Sequence, residues 1–359
     1  MTSVTTAVQS PPRWAIAAAV AILTCAFTAA RVLHEPQWPT DFDQLWHAAN
    51  ALLDGTDPYA VVGPGRTFEW NWPLYYPLPA VLYAVPFAFL PIEAARIVFS
   101  TVAAGLLGWA AAPRWRTHWP MLLSASYLIA ASRNQWAPLF LAAAWVPSIA
   151  FLTPAKPNVG LATLASMSGR RLGIALTGCA VVVALCFLVR PDWFGSWRKA
   201  IVTAPHVQAA LLTFPFGPLL AIAALRWKRP DARLFLALVA VPHTPSLYDL
   251  LLLFFVCRTL RETLVLALLS QAVYWGTVTF ASYSTFDLYA EGLGRMVIFL
   301  VYAPVLLLIL SRPNREVDPE TKGAGTAERV PSNWIDAGLL SLLIIAATML
   351  IWLPLVTYR

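Results

Sequence analysis

Long apolar runs, broken by short charged or proline-rich stretches, set the pattern of this chain from end to end. Taken as helical segments, the runs fall at 14–33, 77–90, 94–112, 119–132, 136–153, 157–169, 172–189, 211–225, 232–242, 246–257, 263–281, 295–311 and 334–355. A bilayer core of about 30 Å takes about 20 apolar helical residues, so several runs are short for a full crossing. Half-helices and re-entrant turns are compatible with a bilayer where the backbone is buried in protein or lines a cavity. The first run follows a polar stretch, Met1–Arg13, and lacks a small-residue cleavage site. It reads as a retained helix rather than a signal peptide.

Composition supports the membrane reading. Apolar residues make up 59% of the 359 positions and charged ones 12%, with a mean hydropathy of +0.64. A soluble domain carries about 25% charged residues, so this chain is expected to be an all-α, polytopic membrane protein. Sixteen tryptophans suit a chain with many membrane interfaces. The net charge of +7 calls for no nucleic-acid partner, because Lys and Arg gather on cytoplasmic loops. With the N-terminus inside, Arg13, Arg96, Arg133, Arg170, Arg171, Arg226, Lys228, Arg229, Arg233, Arg258, Arg261 and the loop from Arg312 to Arg329 fall on the cytoplasmic side. The resulting organisation is a cytoplasmic N-terminus at 1–13, a bundle at 14–311 with an outward loop at 34–76, a flexible cytoplasmic loop at 312–333 and a C-terminal span within 334–359. Cys25, Cys179, Cys186 and Cys257 lie in apolar runs without metal-ligand spacing, as do His34, His47 and His118. No metal or cofactor is expected.

The outward loop carries the chain's unusual chemistry. In DFDQLWHAANALLDGTDPY (41–59), Phe42, Leu45, Trp46, Ala49, Leu52 and Leu53 recur at helical spacing, with Asp43, Gln44, His47, Asn50 and Asp54 elsewhere. This predicts an amphipathic helix lying along the membrane. It starts near Thr40 or Asp41, stops at Gly55, and is followed by a turn at Asp57-Pro58. Asp41 reads either as a helix cap or as a catalytic carboxylate, and Asp43 either as a first-turn charge complementing the helix dipole or as a competing base. Downstream, Phe68, Trp70, Trp72, Tyr75 and Tyr76 fall within ten residues. They form an interfacial aromatic belt or a stacking surface for a sugar or prenyl chain. Lys156, Arg190, His243, Tyr248 and Asp249 fall at outward ends of the predicted helices. Charged groups at such depth are usually paired or functional. Lys156 and Arg190 read as lipid-phosphate contacts or interfacial charges, His243 as a substrate contact or a structural hydrogen-bond partner, and Asp249 as a helix cap.

The run at 41–59, followed by YYPLPAVLYAVPFAFLP at 75–91, resembles glycosyltransferase family 87, membrane mannosyltransferases of the GT-C superfamily. The family's catalytic Asp, fourteen positions ahead of its Gly, falls on Asp41, with Asp43 a close competitor. The aromatic usual four residues after that Asp is replaced by Leu45, with Trp46 adjacent. Asn134-Gln135 stands where the family has Gly-Gln, Lys156-Pro157-Asn158 is similar to its Lys-Pro-Gln, and His243 to Asp249 is similar to its polar break ending in Tyr-Asp. The likeness extends to about residue 250.

The resemblance implies a GT-C-like bundle of about 11–13 transmembrane helices with an outward cavity. It also implies a multi-pass enzyme of the plasma membrane, with its active site on the extracytoplasmic side. The implied reaction moves mannose, or alternatively arabinofuranose, from a polyprenyl-phosphate donor to a lipid-linked or glycan acceptor. Asp41, or Asp43, would be the base of an inverting displacement. Gln135, Lys156, Arg190, His243, Tyr248, Trp72, Tyr75 and Tyr76 would bind substrate. A transporter or flippase for a lipid-linked sugar is the alternative, since it shares the cavity and the basic groups but needs no base.

Overall fold

The computed structural model describes residues 11–203, 207–243, 246–280 and 285–315. The expected C-terminal span and most of the charged loop before it lie outside the described residues. Every regular element among the described residues is helical, and a lone bridge pairs Val62 with Phe68. Four helical stretches are long and apolar enough to cross a membrane: Arg13–His34, Ile92–Leu123, Gly169–Val189 and Leu288–Leu310.

The α-helices are α1 (Arg13–His34), α2 (Asp41–Leu53), α3 (Pro58–Val61), α4 (Leu78–Ala88), α5 (Ile92–Ala111), α6 (Trp115–His118), α7 (Ala125–Ser132), α8 (Ala137–Trp145), α9 (Pro157–Ala165), α10 (Gly169–Val189), α11 (Trp193–Val202), α12 (Pro230–Ala240), α13 (Leu260–Phe280), α14 (Phe286–Val297) and α15 (Ala303–Leu310). Tighter 3₁₀ segments, among them Pro147–Ala155, Gly217–Arg226 and Tyr248–Val256, stand where short apolar runs were expected.

The helices place two groups of polar residues at opposite ends of the bundle. Helices α1 and α5 run antiparallel, with Gly105 against Ala21 and Gly108 against Ala17, and glycine at these positions lets their backbones approach closely. A Cβ on Gly108 would come within 3.1 Å of both the Ala17 Cα and Val20. The far end of α5 therefore meets the start of α1, where the Arg13 guanidinium lies 5.6 Å from the Trp109 ring centre. The near end of α5 carries Arg96 to Asp43 of α2.

Two expected spans fold differently. The run at 77–90 was expected to cross. Instead α4 lies against the first turns of α2. Tyr76, just ahead of α4, is within electrostatic reach of Asp41, Phe87 meets Phe42 edge-on at 5.6 Å, and the Leu90 carbonyl accepts from Trp46 Nε1 at 3.1 Å. The run at 136–153 was expected to cross once and instead goes down and back. Gln135 touches Asp41, and Trp145 meets the Arg114 guanidinium at 5.7 Å and the His118 ring at 5.4 Å. The returning segment then brings Lys156 within electrostatic reach of Asp41. The break has a local cause: Pro147 excludes helical backbone at Val146, whose φ and ψ are −125° and 89°.

The two differences cancel in crossing number, so the described residues from Lys156 onward lie at the ends where the sequence placed them. Arg96 and Arg133, expected on the cytoplasmic side, join the Asp41 end, whereas Arg114, Arg116 and His118 lie at the Arg13 end. That end also gathers Arg229, Arg258 and Arg312 around Asp231, with Arg312 bonded to Glu262 at 2.7 Å.

Burial corrects the picture of α2 as well. Phe42, Leu45, Ala48 and Ala49 are fully buried, so protein rather than lipid covers this face. Phe42 stacks on Phe99 of α5 at 4.5 Å, and Phe99 meets Trp136 at 5.3 Å. All nine residues of α8 are buried at the centre of the bundle. By contrast α10 buries only Ala175 and Cys186. Its exposed Ile174, Leu176, Val181, Leu185 and Leu188 form an apolar outer face suited to lipid.

Candidate active site

The two aspartates of α2, alike in sequence, occupy opposite roles. Thr40 precedes the helix, and Asp43 reaches back to it, accepting from the Thr40 N–H at 3.0 Å and from its hydroxyl at 2.9 Å. This is the acidic half of a capping box. The Arg96 guanidinium closes on the same carboxylate with Nε at 2.8 Å and Nη2 at 2.5 Å. A two-pronged Arg–carboxylate pair is strong and geometrically specific. With 1% exposure, Asp43 has its acceptors fully engaged and no open face.

Asp41, at the first helical position, is half-buried and has no ion pair within 4 Å among the described residues. Its hydrogen bond comes from the Gln135 amide, donated by Nε2. That amide is aimed by Asn134, which occupies the left-handed region at φ 54°, a conformation Asn tolerates better than most side chains. Asn134 Nδ2 donates to the Arg96 carbonyl and to Ser100 Oγ, both at 2.7 Å. The pairing thus places Gln135 directly beside Asp41. Burial raises the Asp41 pKa above the ordinary carboxylate range, while Lys156, Arg133 and the Gln135 hydrogen bond pull it back in part. Such a carboxylate is a stronger proton acceptor than an exposed one once ionised. The Tyr76 phenol, half-buried, is shifted well upward, first by burial and then by Asp41 and Asp249. It therefore remains a neutral hydroxyl beside both acids.

Lys156 stands at the turn between Pro147–Ala155 and α9. Its ammonium meets both oxygens of Asp249, at 2.9 and 2.7 Å, and lies 4.6 Å from the Tyr248 ring centre. Asp249, expected to cap the helix that follows it, is instead the counter-ion of Lys156. His243 is buried, and both ring nitrogens face protein groups: Nδ1 lies 3.0 Å from the Val241 carbonyl and Nε2 lies 2.9 Å from the Tyr302 hydroxyl. Donation to the carbonyl and acceptance from the phenol fit a neutral ring. Burial favours this state by lowering its pKa, with Asp249 opposing and Lys156 reinforcing. Asp41, Gln135, Tyr76, Lys156, Tyr248, Asp249 and His243 thus form one connected polar group, drawn from five separate stretches of chain.

The other candidates lie to one side. Arg190 caps α10 and pairs with Asp57 at 3.6 Å and Asp192 at 3.2 Å, tying that helix to the loop after α2. The Tyr75 hydroxyl donates to the Thr203 carbonyl at 3.4 Å, and its own carbonyl accepts from Trp197 Nε1 at 2.9 Å. Trp72 is 39% exposed. Within the aromatic run, Phe68 stacks against the His47 ring at 3.9 Å and Trp70 at 5.7 Å. A recess of about 210 Å³ is lined by Thr213, Phe214, Pro215, Phe216, Arg295, Ile298 and Phe299, none of them a residue of the Asp41 group. Among the described residues, no three His, Cys, Asp or Glu side chains are grouped so as to hold a metal ion.

Three residues near the Asp41 group, of which Arg133 alone is within electrostatic reach of Asp41 itself, were absent from the sequence-derived site. Tyr302, which positions His243, lies beyond the region of resemblance and gave no signal. Arg133 was assigned to the opposite side through the miscounted crossings. Arg31, one turn from the end of an apolar span, did carry a signal, since charge inside such a segment is costly and commonly functional. No family model, curated protein or solved structure matches this chain.

Proposed function

We propose that the protein is an inverting membrane glycosyltransferase of GT-C-like architecture that uses a polyprenyl-phosphate sugar, with mannose the leading donor sugar. The observation that carries this reading is the Asp41 carboxylate. It is free of any ion pair among the described residues, oriented by Gln135 and made more basic by burial, while its neighbour Asp43 is locked onto Arg96. A structural role would favour the opposite arrangement, because half-burying an acid without a counter-ion is unfavourable.

In the proposed reaction, Asp41 takes the proton from an acceptor hydroxyl as its oxygen bonds to the anomeric carbon of the donor. The bond from that carbon to the phosphate oxygen breaks, and the phosphate leaves with the electron pair. Phosphate is already a competent leaving group, so one base is sufficient, unlike the paired carboxylates of most glycoside hydrolases. Gln135 orients Asp41, Tyr76 in turn hydrogen-bonds Gln135, and the Lys156–Asp249 pair on Tyr248 forms the adjoining wall. A lipid-linked glycan or glycolipid is the acceptor class. The gathering of Arg around Asp231 supports a cytoplasmic assignment of that end, and with it an extracytoplasmic Asp41 in a multi-pass plasma-membrane protein. There a lipid-borne donor can arrive within the bilayer.

The test is transfer from a panel of radiolabelled polyprenyl-phosphate sugars by the purified full-length protein. Label appearing in a larger lipid-linked or glycan product is expected with mannose. Label that only changes leaflet in vesicles, with no new product, would assign a flippase.

A further inference from the structure

Among the described residues, Arg31 and Arg133 are the cations at the Asp41 end that are wholly or partly buried yet have no side-chain partner; Arg66, Arg198 and Lys199 are also unpaired but exposed to solvent. Arg31 ends the apolar α1 and is 2% exposed, and its Nε has no hydrogen-bond partner. Arg133, half-buried, caps the end of α7. Neither makes a hydrogen bond or an ion pair through its side chain among the described residues. The two lie within electrostatic reach of each other, with Arg96, Glu35 and Asp43 also close to Arg31, and Arg133 close to Asp41. Asp43 is already held by Arg96. The other half-buried basic groups nearby are matched: Lys156 by Asp249, and Arg190 by Asp57 and Asp192.

Two neighbouring guanidiniums with unused donors, one of them sealed from water, are destabilising in the ligand-free protein. Such a cost is typically retained where a ligand relieves it. The complementary ligand carries negative charge on several acceptor oxygens in a compact group, and phosphate matches the guanidinium fork in both respects. Position narrows the class further. Arg31 lies one turn before the end of a helix long and apolar enough to cross a membrane, a position that suits the headgroup of a lipid better than a ligand free in water.

We propose that Arg31 and Arg133 form the phosphate-binding site for the lipid-linked donor, in place of Lys156 and Arg190. This rests on the glycosyltransferase reading only for the identity of the lipid. Through Arg133 the phosphate would lie beside Asp41, so the same cation would offset the charge that develops on the leaving oxygen.

The experiment measures binding of sugar-free polyprenyl phosphate to the full-length protein in phosphatidylcholine nanodiscs, together with the melting temperature. Arg133→Gln and Arg31→Gln are each expected to weaken binding roughly tenfold to hundredfold, as loss of charge-assisted hydrogen bonds does. Each should also raise the melting temperature of the ligand-free protein, the opposite of what loss of a structural arginine would do. Arg133→Lys should recover part of the binding. If Arg31→Gln fails to fold, Arg133→Gln carries the test alone. Wild-type affinity in Arg133→Gln, or a lowered melting temperature with unchanged affinity, overturns the site. Phosphatidylglycerol and inorganic phosphate form the control arms. Equal, arginine-dependent competition by phosphatidylglycerol would make this a general headgroup site and overturn the donor assignment. Arginine-dependent binding without any sugar transfer would preserve the site and sink the glycosyltransferase reading. Transfer with arginine-independent binding would do the reverse.

Discussion

Asp41 and Asp43 show how much a two-residue step along a helix decides. The sequence marked both as candidate bases and left the choice open, because what separates them is Arg96, more than fifty positions away. With Arg96 on Asp43, the two substitutions are expected to fail differently. Asp43→Asn or Arg96→Ala leaves a buried charge uncompensated and should cost about 3–5 kcal/mol of stability, read as a lower unfolding midpoint. Asp41→Asn should leave that midpoint unchanged or raise it slightly at neutral pH, because it removes a half-buried charge that has no ion-pair partner. The raised Asp41 pKa also fixes the sign of the pH dependence. Only the ionised carboxylate accepts a proton, so transfer should fall as pH drops through a value above the ordinary carboxylate range. Stability runs the other way, since the native state holds this proton more tightly than the unfolded chain and loses stability as pH rises through the same window. A rate profile whose acid limb lies at the usual carboxylate pKa would show that burial does not govern this group.

At the scale of elements, long helices were legible and short ones were not. α1, α5, α10 and α13 stand close to their expected bounds because about 20 apolar residues have few alternatives in a bilayer. The runs at 77–90 and 136–153 were misjudged for want of information about partners. Apolar composition does not distinguish a crossing from a helix buried against α2, nor from a chain that turns back at Pro147. Lys156 was recognised as unusual, but its counter-ion Asp249 lies 93 residues away. What holds Lys156 in place is the close approach of α9 to the segment before it. A Cβ on Gly160 would overlap the Thr153 carbonyl. Gly160→Ala is therefore expected to displace Lys156 and lower transfer as well as stability. Gly173→Ala, where nothing lies within 4 Å, serves as the control. Equal behaviour of the two variants would show that the turn tolerates displacement.

For the whole molecule, the polar groups at the two ends of the bundle define its polarity. Among the described residues, the hydropathy pattern agrees with the ends observed beyond residue 156 but exchanged the region between α4 and α8. Single cysteines in a cysteine-free background can read this directly. Thr56 should react with an impermeant maleimide on intact cells, and Arg116→Cys, exposed at the Arg13 end, only after permeabilisation. The counting of spans alone puts both outside, so labelling of both on intact cells would contradict the fold. Gly323, the natural probe of the charged loop, lies outside the described residues.

The central claim is that Asp41 removes a proton during sugar transfer, and the most direct measurement pairs turnover with donor binding in Asp41→Asn. Asparagine keeps the size of the side chain and its contact with Gln135 but not the basicity. The expected result is loss of transfer by several orders of magnitude, with affinity for polyprenyl-phosphate mannose within a few-fold of wild type. Near-wild-type transfer by Asp41→Asn would contradict the account.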